Sequence, residues 1–183
     1  MYRALEVPLD DCILQNREEL IGLCEHIAAQ GIRRYLEIGI WTGRLISTLH
    51  RLFDFDVVAA ADLGVAEGLG LPLRLPFGAT FFRGDSTSTA YRQWRSGLGP
   101  LDLVLIDGDH SYAGVRRDFE INRAFPSRWL AFHDILGGEP STEGVGIFWR
   151  ELAGDKIEIV RPHLELGRRS TMGIGLWRNP DVT

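Results

Sequence analysis

Residues 101–112 read Leu-Asp-Leu-Val-Leu-Ile-Asp-Gly-Asp-His-Ser-Tyr, and this stretch decides the fold. Its first part, 101–107, is nearly all apolar, which is typical of a strand buried on both faces of a parallel sheet. Asp107 and His110 follow at the point where the strand must end. A carboxylate and a side chain that titrates near neutral pH therefore share one short turn. This pairing predicts chemistry at the carboxyl end of the strand.

Strand patterns alternate with helix patterns on both sides of this stretch. Four further predicted strands also end in or next to an acid or a glycine: 34–39, 57–62, 79–83 and 128–134. Helices are predicted over 13–30, after Gly43, over 87–96 and 112–125, and around 147–152. Two late strands, 156–161 and 172–177, have only a short connection, so one of them should be antiparallel.

These patterns predict an α/β fold with a Rossmann-like, doubly wound and mostly parallel sheet of seven strands. Helices should cover both faces, with one antiparallel strand near the C-terminus. The chain has 183 residues, which suits a single domain over 1–183. Within it, 1–30 is expected to form an N-terminal helical segment that packs on or over the core. The segments 63–79 and 137–146 are expected to be loops, and four glycines make the second a candidate lid.

Composition excludes several classes of protein. Apolar residues make up 45% and charged residues 25%, as in a globular domain, and the net charge of −5 disfavours nucleic-acid binding. The two cysteines, Cys12 and Cys24, form no CxxC pair, which indicates a reducing compartment. No apolar run reaches the roughly 18 residues of a membrane span, and no signal peptide is seen at the N-terminus. We therefore expect a cytoplasmic protein.

Three predicted strand ends carry residues suited to a nucleotide-like ligand. The turn from Glu37 to Gly43 has G-x-x-x-G spacing, and glycine lets the backbone pass close to a ligand. Asp62 follows the next strand, where a carboxylate can accept hydrogen bonds from a ribose diol. Asp85 and Ser86 follow the third strand and could bind an adenine, although both are also favoured helix caps. An ordinary turn or cap remains open at each position.

A metal site is a further possibility. His133 and Asp134 end the strand predicted to lie beside the one that ends at Asp107, and neighbouring strands are only about 4.8 Å apart. Carboxylates suit Mg²⁺, whereas an imidazole leaves Mn²⁺ or another transition ion open. The alternative is that Asp134 caps a helix and His133 is a buried structural residue.

Taken together, these motifs resemble class I S-adenosylmethionine-dependent methyltransferases. The resemblance is carried by Y-L-E-I-G-I-W-T-G, V-V-A-A-A-D, G-D-S, the stretch 101–112 and F-H-D, and it runs from about residue 13 to 178. The segment I-D-G-D-H-S-Y-A-G-V-R-R-D-F, with G-V-G-I-F-W-R-E-L and M-G-I-G-L-W, is similar to the small-molecule and sugar O-methyltransferases. That branch includes macrolide-sugar methyltransferases and, more distantly, catechol O-methyltransferase.

The resemblance implies a role for each motif. Glu37, Gly39 and Gly43 would hold the methionine end of S-adenosylmethionine, with Trp41 in the same turn also counted as cofactor-binding. Asp62 would bind the ribose, and Asp85 with Ser86 the adenine. The metal ligands would be Asp107, His133 and Asp134, and His110 would be the catalytic base. Catechol-type enzymes instead have lysine at the place of His110 and an Asp-Asn pair at the place of 133–134.

The function expected from the sequence is therefore methyl transfer to a hydroxyl of a small molecule or sugar, assisted by Mg²⁺ or another divalent cation. Three alternatives stay open: a metal-independent methyltransferase, a non-catalytic binding module, and a nicotinamide-binding domain. The missing third glycine of G-x-G-x-x-G disfavours the last. The acceptor is not identified, and a second copy of the chain could complete its pocket as a homo-oligomer.

Overall fold

The computed structural model describes residues 13–161 and 172–182. Within them, seven strands form one sheet in the order β3-β2-β1-β4-β5-β7-β6. The strands are β1 Arg34–Ile38, β2 Val57–Asp62, β3 Thr80–Arg83, β4 Leu101–Ile106, β5 Ser127–His133, β6 Lys156–Ile159 and β7 Ile174–Arg178. The helices are α1 Arg17–Gln30, α2 Arg44–Phe53, α3 Val65–Gly68, α4 Thr89–Gly97, α5 Tyr112–Arg123 and α6 Glu143–Glu151.

The sheet has the predicted topology. Strand β1 pairs in parallel with β2 and β4, and β3 and β5 extend the parallel sheet on either side. Strand β7 runs antiparallel between β5 and β6. The chain reverses its strand order between β1 and β4, and open α/β sheets bind ligands at such a reversal. The predicted fold class, including the antiparallel strand near the C-terminus, is thereby confirmed.

Both faces of the central strands are buried, as the apolar run of β4 predicted. Successive side chains of a strand point to opposite faces, so Leu103 and Leu105 join one apolar cluster, while Val104 and Ile106 join the other. The first cluster includes residues of α1 and α2, and the second includes residues of α5 and α6. This burial leaves the carboxyl ends of the strands as the edge at which polar side chains collect. None of the helices in the described ranges is long and apolar enough to cross a membrane.

The first helix begins later than predicted. It starts at Arg17 rather than at residue 13, because Asn16 caps it and accepts a 2.9 Å hydrogen bond from the backbone N–H of Glu18. It ends as predicted at Gly31, which has a left-handed φ of 60°. Cys24 is buried on this helix, whereas Cys12 and the rest of 1–12 lie outside the described residues.

Both predicted loops are shorter than expected. The 63–79 segment contains the one-turn helix α3, and α6 begins at Glu143 rather than near 147. Gly144 and Gly146 therefore belong to a packed helix, and only 137–142 remains loop within the segment predicted to be a lid. The sequence predicted a loop here because glycine disfavours helices in isolation. In the structure, α6 packs so closely against the turn after β4 that glycine is required at position 144.

Candidate active site

A pocket of about 720 Å³ opens at the carboxyl ends of β1 to β5. It brings together almost all of the residues singled out in the sequence: Glu37, Gly39, Trp41, Asp62, Asp85, Ser86, Asp107, His110, His133 and Asp134. The exception is Gly43, which does not line the pocket and instead forms the N-cap of α2 with a φ of 77°. One cavity thus holds the predicted nucleotide-binding and metal-binding groups side by side.

The turn after β1 lies directly against the end of β4. Gly39 has a φ of 80°, and a Cβ atom there would lie 2.1 Å from the carbonyl oxygen of Asp107. Only glycine fits at such an approach. Trp41 in the same turn has a φ of 51°, which is strained for a non-glycine residue. This turn is therefore held in an unfavourable backbone conformation next to the pocket, a feature that concentrates at functional sites.

Glu37 forms the buried floor of the pocket. It is 2% exposed, and the hydroxyl of Tyr35 donates a 2.7 Å hydrogen bond to its Oε2. Burial raises the pKa of Glu37 to about 8, with the charges of Asp107 and Asp62 adding to the effect and the Tyr35 hydrogen bond opposing it. The free protein therefore holds a largely neutral acid here at pH 7, which a cationic ligand group would ionise.

Asp62 ties the ends of β1 and β2 together. Its Oδ2 accepts from the backbone N–H of Ile40 at 2.9 Å, and its Oδ1 accepts from the N–H of Gly64 at 2.5 Å. Each carboxylate oxygen has a further lone pair. The two backbone contacts therefore fix the direction in which Asp62 faces the pocket while leaving acceptor capacity for a ligand.

The third strand end presents Asp85 at the surface. Its Oδ1 accepts from both the backbone N–H and the hydroxyl of Thr87 at 2.7 Å, and these bonds hold the pKa of Asp85 below its usual value. Asp118 on α5 also lines this part of the pocket, although no sequence motif indicated it. Asp118 is 1% exposed, burial raises its pKa to about 6, and Oδ1 has no hydrogen-bond partner among the described residues. The sequence signal that could have indicated Asp118 is the presence of an acid next to Phe119, on the otherwise apolar face of α5.

The predicted metal and base residues meet at the opposite part of the pocket. Oδ1 of Asp107 lies 3.1 Å from Nε2 of His110 and 3.3 Å from Nδ1 of His133. Oδ2 of Asp134 lies 3.3 Å from the same His133 nitrogen and 3.9 Å from Nε2 of His110. Asp134 adopts a left-handed φ of 62°, which is costly for a residue with a Cβ atom. Two carboxylates and two imidazoles therefore form one compact cluster.

Charges within this cluster stabilise one another. Burial alone would raise the pKa of Asp107, but His133 and His110 hold it below the usual value. The hydrogen bond to Asp107 raises the pKa of His110. Burial lowers the pKa of His133, yet the two carboxylates outweigh burial and raise it to about 10. A protonated His133 balances one of the two carboxylate charges and leaves the other available for a cation.

The donor set also fits a divalent cation. One ligand atom from each of Asp107, His110 and Asp134 lies within 4.8 Å of the others. His133 is as close to both acids through Nδ1, and its Nε2 is buried without a hydrogen-bond partner in the described part of the chain. Two carboxylates with one imidazole can bind Mg²⁺ and suit Mn²⁺ or another transition ion better.

Gln15 is a second residue of this site that no sequence motif indicated. Its Nε2 donates a 2.7 Å hydrogen bond to Oδ2 of Asp107, and it lines the pocket together with Ile13 and Leu14. These residues were expected to continue α1. The signal that could have revealed them is Asn16, a favoured N-cap residue, which begins α1 only at Arg17 and leaves residues 13–15 outside the helix.

Comparison with known families agrees with this geometry. The sequence profile of a methyltransferase domain matches residues 36–135, from β1 to the residue after Asp134. The chain belongs to the methyltransferase-domain family. No curated protein matches it. All the strands from which the pocket is built, β1 to β5, lie in the matched segment apart from two residues at the start of β1.

Solved structures share the fold of this methyltransferase domain. An O-methyltransferase from Bacillus cereus in complex with SAH is 17% identical with a TM-score of 0.58, and the match covers 92% of this chain and 82% of that one. CalS11, a TDP-rhamnose 3′-O-methyltransferase of calicheamicin biosynthesis, is 16% identical with a TM-score of 0.55, covering 91% and 82%. The MycE methyltransferase of the mycinamycin pathway, in complex with Mg and SAH, is 19% identical with a TM-score of 0.51, covering 69% and 37%.

Proposed function

We propose that this methyltransferase domain uses S-adenosylmethionine to methylate a hydroxyl of a small molecule or sugar. The observation that carries the proposal is the single pocket that joins Asp85, Asp62 and Glu37 at one side to His110, Asp107 and Asp134 at the other. Asp85, Asp62 and Glu37 would meet, in this order, the adenine, ribose and ammonium groups of S-adenosylmethionine. The acid and imidazole cluster then lies where a methyl acceptor would be activated.

Each residue of the cofactor side has a defined task in this proposal. Asp85 and Ser86 face the adenine, and Asp62 accepts hydrogen bonds from the ribose. Glu37 pairs with the ammonium of the methionine end, while Gly39 and Trp41 shape the turn that encloses it. When bound, S-adenosylmethionine supplies the methyl group on a sulfonium sulfur.

His110 is the proposed general base. With Nε2 bonded to Asp107 at 3.1 Å, the other ring nitrogen is left to accept the proton of the acceptor hydroxyl. The carboxylate orients the ring and stabilises the imidazolium that forms, as an acid does beside a catalytic histidine. Loss of this proton would make the acceptor oxygen a nucleophile towards the methyl carbon, with the sulfonium sulfur as the leaving group. Much of the acceleration should come from holding the two reactants in line.

A divalent cation held by Asp107, His133 and Asp134 forms part of the proposal. Such an ion would supply a positive charge that lowers the pKa of an acceptor hydroxyl. A metal-independent transfer is the second candidate, because Nδ1 of His133 lies 3.3 Å from both Asp107 and Asp134, where a protonated imidazole would supply a positive charge. Treatment with a chelator, followed by addition of Mg²⁺ or Mn²⁺, separates the two. Full turnover after chelation supports the metal-independent transfer. Loss of turnover after chelation, with recovery on addition of Mg²⁺ or Mn²⁺, supports the metal-assisted transfer.

The deciding experiment for the function is calorimetric titration of the protein with S-adenosylmethionine and, as a control, with NAD. Binding of the first alone is expected, followed by transfer of a labelled methyl group to members of a panel of sugars and phenols. Binding of NAD alone, or of neither compound, would contradict the proposal and favour a nicotinamide-binding or non-catalytic domain.

A further inference from the structure

Gln15 joins the segment before α1 to the end of β4. Its amide Nε2 donates a 2.7 Å hydrogen bond to Oδ2 of Asp107, a residue 92 positions further along the chain. Both partners are largely shielded from solvent, and the Asp107 side chain is 12% exposed. A hydrogen bond to a partly buried carboxylate is stronger than one between neutral groups.

This contact divides the two oxygens of Asp107 between different partners. Oδ1 lies 3.1 Å from Nε2 of His110 and 3.3 Å from Nδ1 of His133, while Oδ2 is bonded to Gln15. The carboxylate is therefore held on both sides, so it cannot rotate about χ2 without losing a partner. A neutral amide suits this position, because it restrains the acid without adding a charge that would compete with the imidazoles.

The backbone that carries Gln15 is itself fixed. The next residue, Asn16, is 1% exposed and caps α1 through the N–H of Glu18. The Asn16 side chain also donates to the carbonyl of Arg161, at 3.3 Å. A functional group is held most accurately when the residue that supports it is itself locked by packing and hydrogen bonds. Gln15 meets this condition, because it directly precedes the capped start of α1.

We propose that Gln15 is a positioning residue for methyl transfer: it fixes the orientation of Asp107 and, through Asp107, that of the His110 ring. This inference rests on the function proposed above. It makes the segment before α1 part of the catalytic apparatus as well as part of the pocket wall.

The first test is Gln15→Met, which keeps the length of the side chain and removes the donor. We expect kcat to fall about tenfold or more, because a small misplacement of the groups that act on the substrate lowers the rate strongly. The KM for S-adenosylmethionine should stay within about twofold, because Glu37, Asp62 and Asp85 are untouched. Gln30→Met, the same exchange at the exposed end of α1, is the matched control and should leave both constants unchanged.

A second readout does not depend on turnover. The ¹⁵N and ring-proton NMR signals of His110 and His133 should shift or broaden in Gln15→Met and remain as in the parent protein in Gln30→Met. Gln15→Glu places a carboxylate against Asp107 and should disturb the same signals more strongly. Unchanged ring signals together with parental kcat in Gln15→Met would overturn the inference. If the parent protein transfers no methyl group but the signals still move, the positioning role stands and the proposed function fails.

Discussion

The phenol of Tyr35 donates a 2.7 Å hydrogen bond to Oε2 of Glu37, two positions further along β1 and on the same face of the sheet. The two side chains are 0% and 2% exposed. The carboxyl group beneath the pocket is thus protected from water, and its pKa rises to about 8. A ligand that presents an ammonium to Glu37 must bind to the ionised form.

The first prediction is that binding of S-adenosylmethionine releases a proton from Glu37. Below pH 8 the free protein carries that proton, and the ligand ammonium stabilises the carboxylate, so affinity should rise as the pH increases from 6 towards 8. It should fall again once the ligand amine, with an ordinary pKa of about 8, loses its own proton. Calorimetry at pH 6.5 in buffers of different ionisation enthalpy counts the protons directly.

Glu37→Gln should bind without this proton release, and Glu120→Gln, an exposed acid on α5, should behave as the parent protein. The same affinity at pH 6 and pH 7.5 in the parent protein would show that Glu37 does not meet the ammonium.

The second prediction concerns His110. His110→Ala should lower kcat by about 10²- to 10⁴-fold, the usual contribution of a general base, while the Kd for S-adenosylmethionine changes little. His110→Gln fills the same space and can still hydrogen-bond to Asp107, but it cannot take a proton, so it should be impaired to a similar degree. Single-turnover kinetics with a labelled methyl group measure the chemical step. Retention of the parental rate in the glutamine variant would exclude His110 as the base.

The third prediction tests the packing behind the His110 turn. A Cβ atom at Gly144 would lie 2.3 Å from the backbone nitrogen of Tyr112 and 2.5 Å from the carbonyl oxygen of His110. Gly144→Ala must therefore push α6 away from the turn that carries His110. Overpacking of this kind costs about 1–3 kcal/mol of stability, and kcat should fall as the imidazole moves.

Gly138→Ala is the matched control for this substitution, because nothing lies within 4 Å of a Cβ atom at that position. Thermal melting and methyl-transfer rates, measured on both variants, separate the two effects. If the two alanine variants behave alike, α6 does not determine the position of His110.

The fourth prediction concerns Glu19, which is 0% exposed on α1. Its Oε1 accepts from the backbone N–H of Arg161 at 3.3 Å, and its Oε2 accepts from that of Gly173 at 3.0 Å. Glu19→Ala leaves these two N–H groups without that partner and should cost about 2–3 kcal/mol. Urea unfolding measures the loss. Glu25→Ala breaks an exposed ion pair with Arg161 and should change stability by less than about 1 kcal/mol.

Local sequence patterns determined most of the fold. The apolar run of β4 predicts a strand covered on both faces, and the alternation of strands with helices then admits few topologies. Because the carboxyl ends of parallel strands meet at one edge, Glu37, Asp62, Asp107 and Asp134 could be placed together before any distance was known. Gly31 correctly predicted the end of α1. The start of α1 was predicted too early because Asn16 was not recognised as its N-cap.

Only the tertiary structure decided the contacts between segments that lie far apart in the chain. Gln15 donates a hydrogen bond to Asp107, which lies 92 positions further along the chain. Asp118, in the middle of α5, lines the pocket. The helical state of Gly144 likewise follows from its contact with the His110 turn, against its own propensity. The sequence shows which side chains can take part in chemistry. Which of them share an oxygen, lose their water or change their charge depends on distances and burial that arise only when the strands and helices pack together.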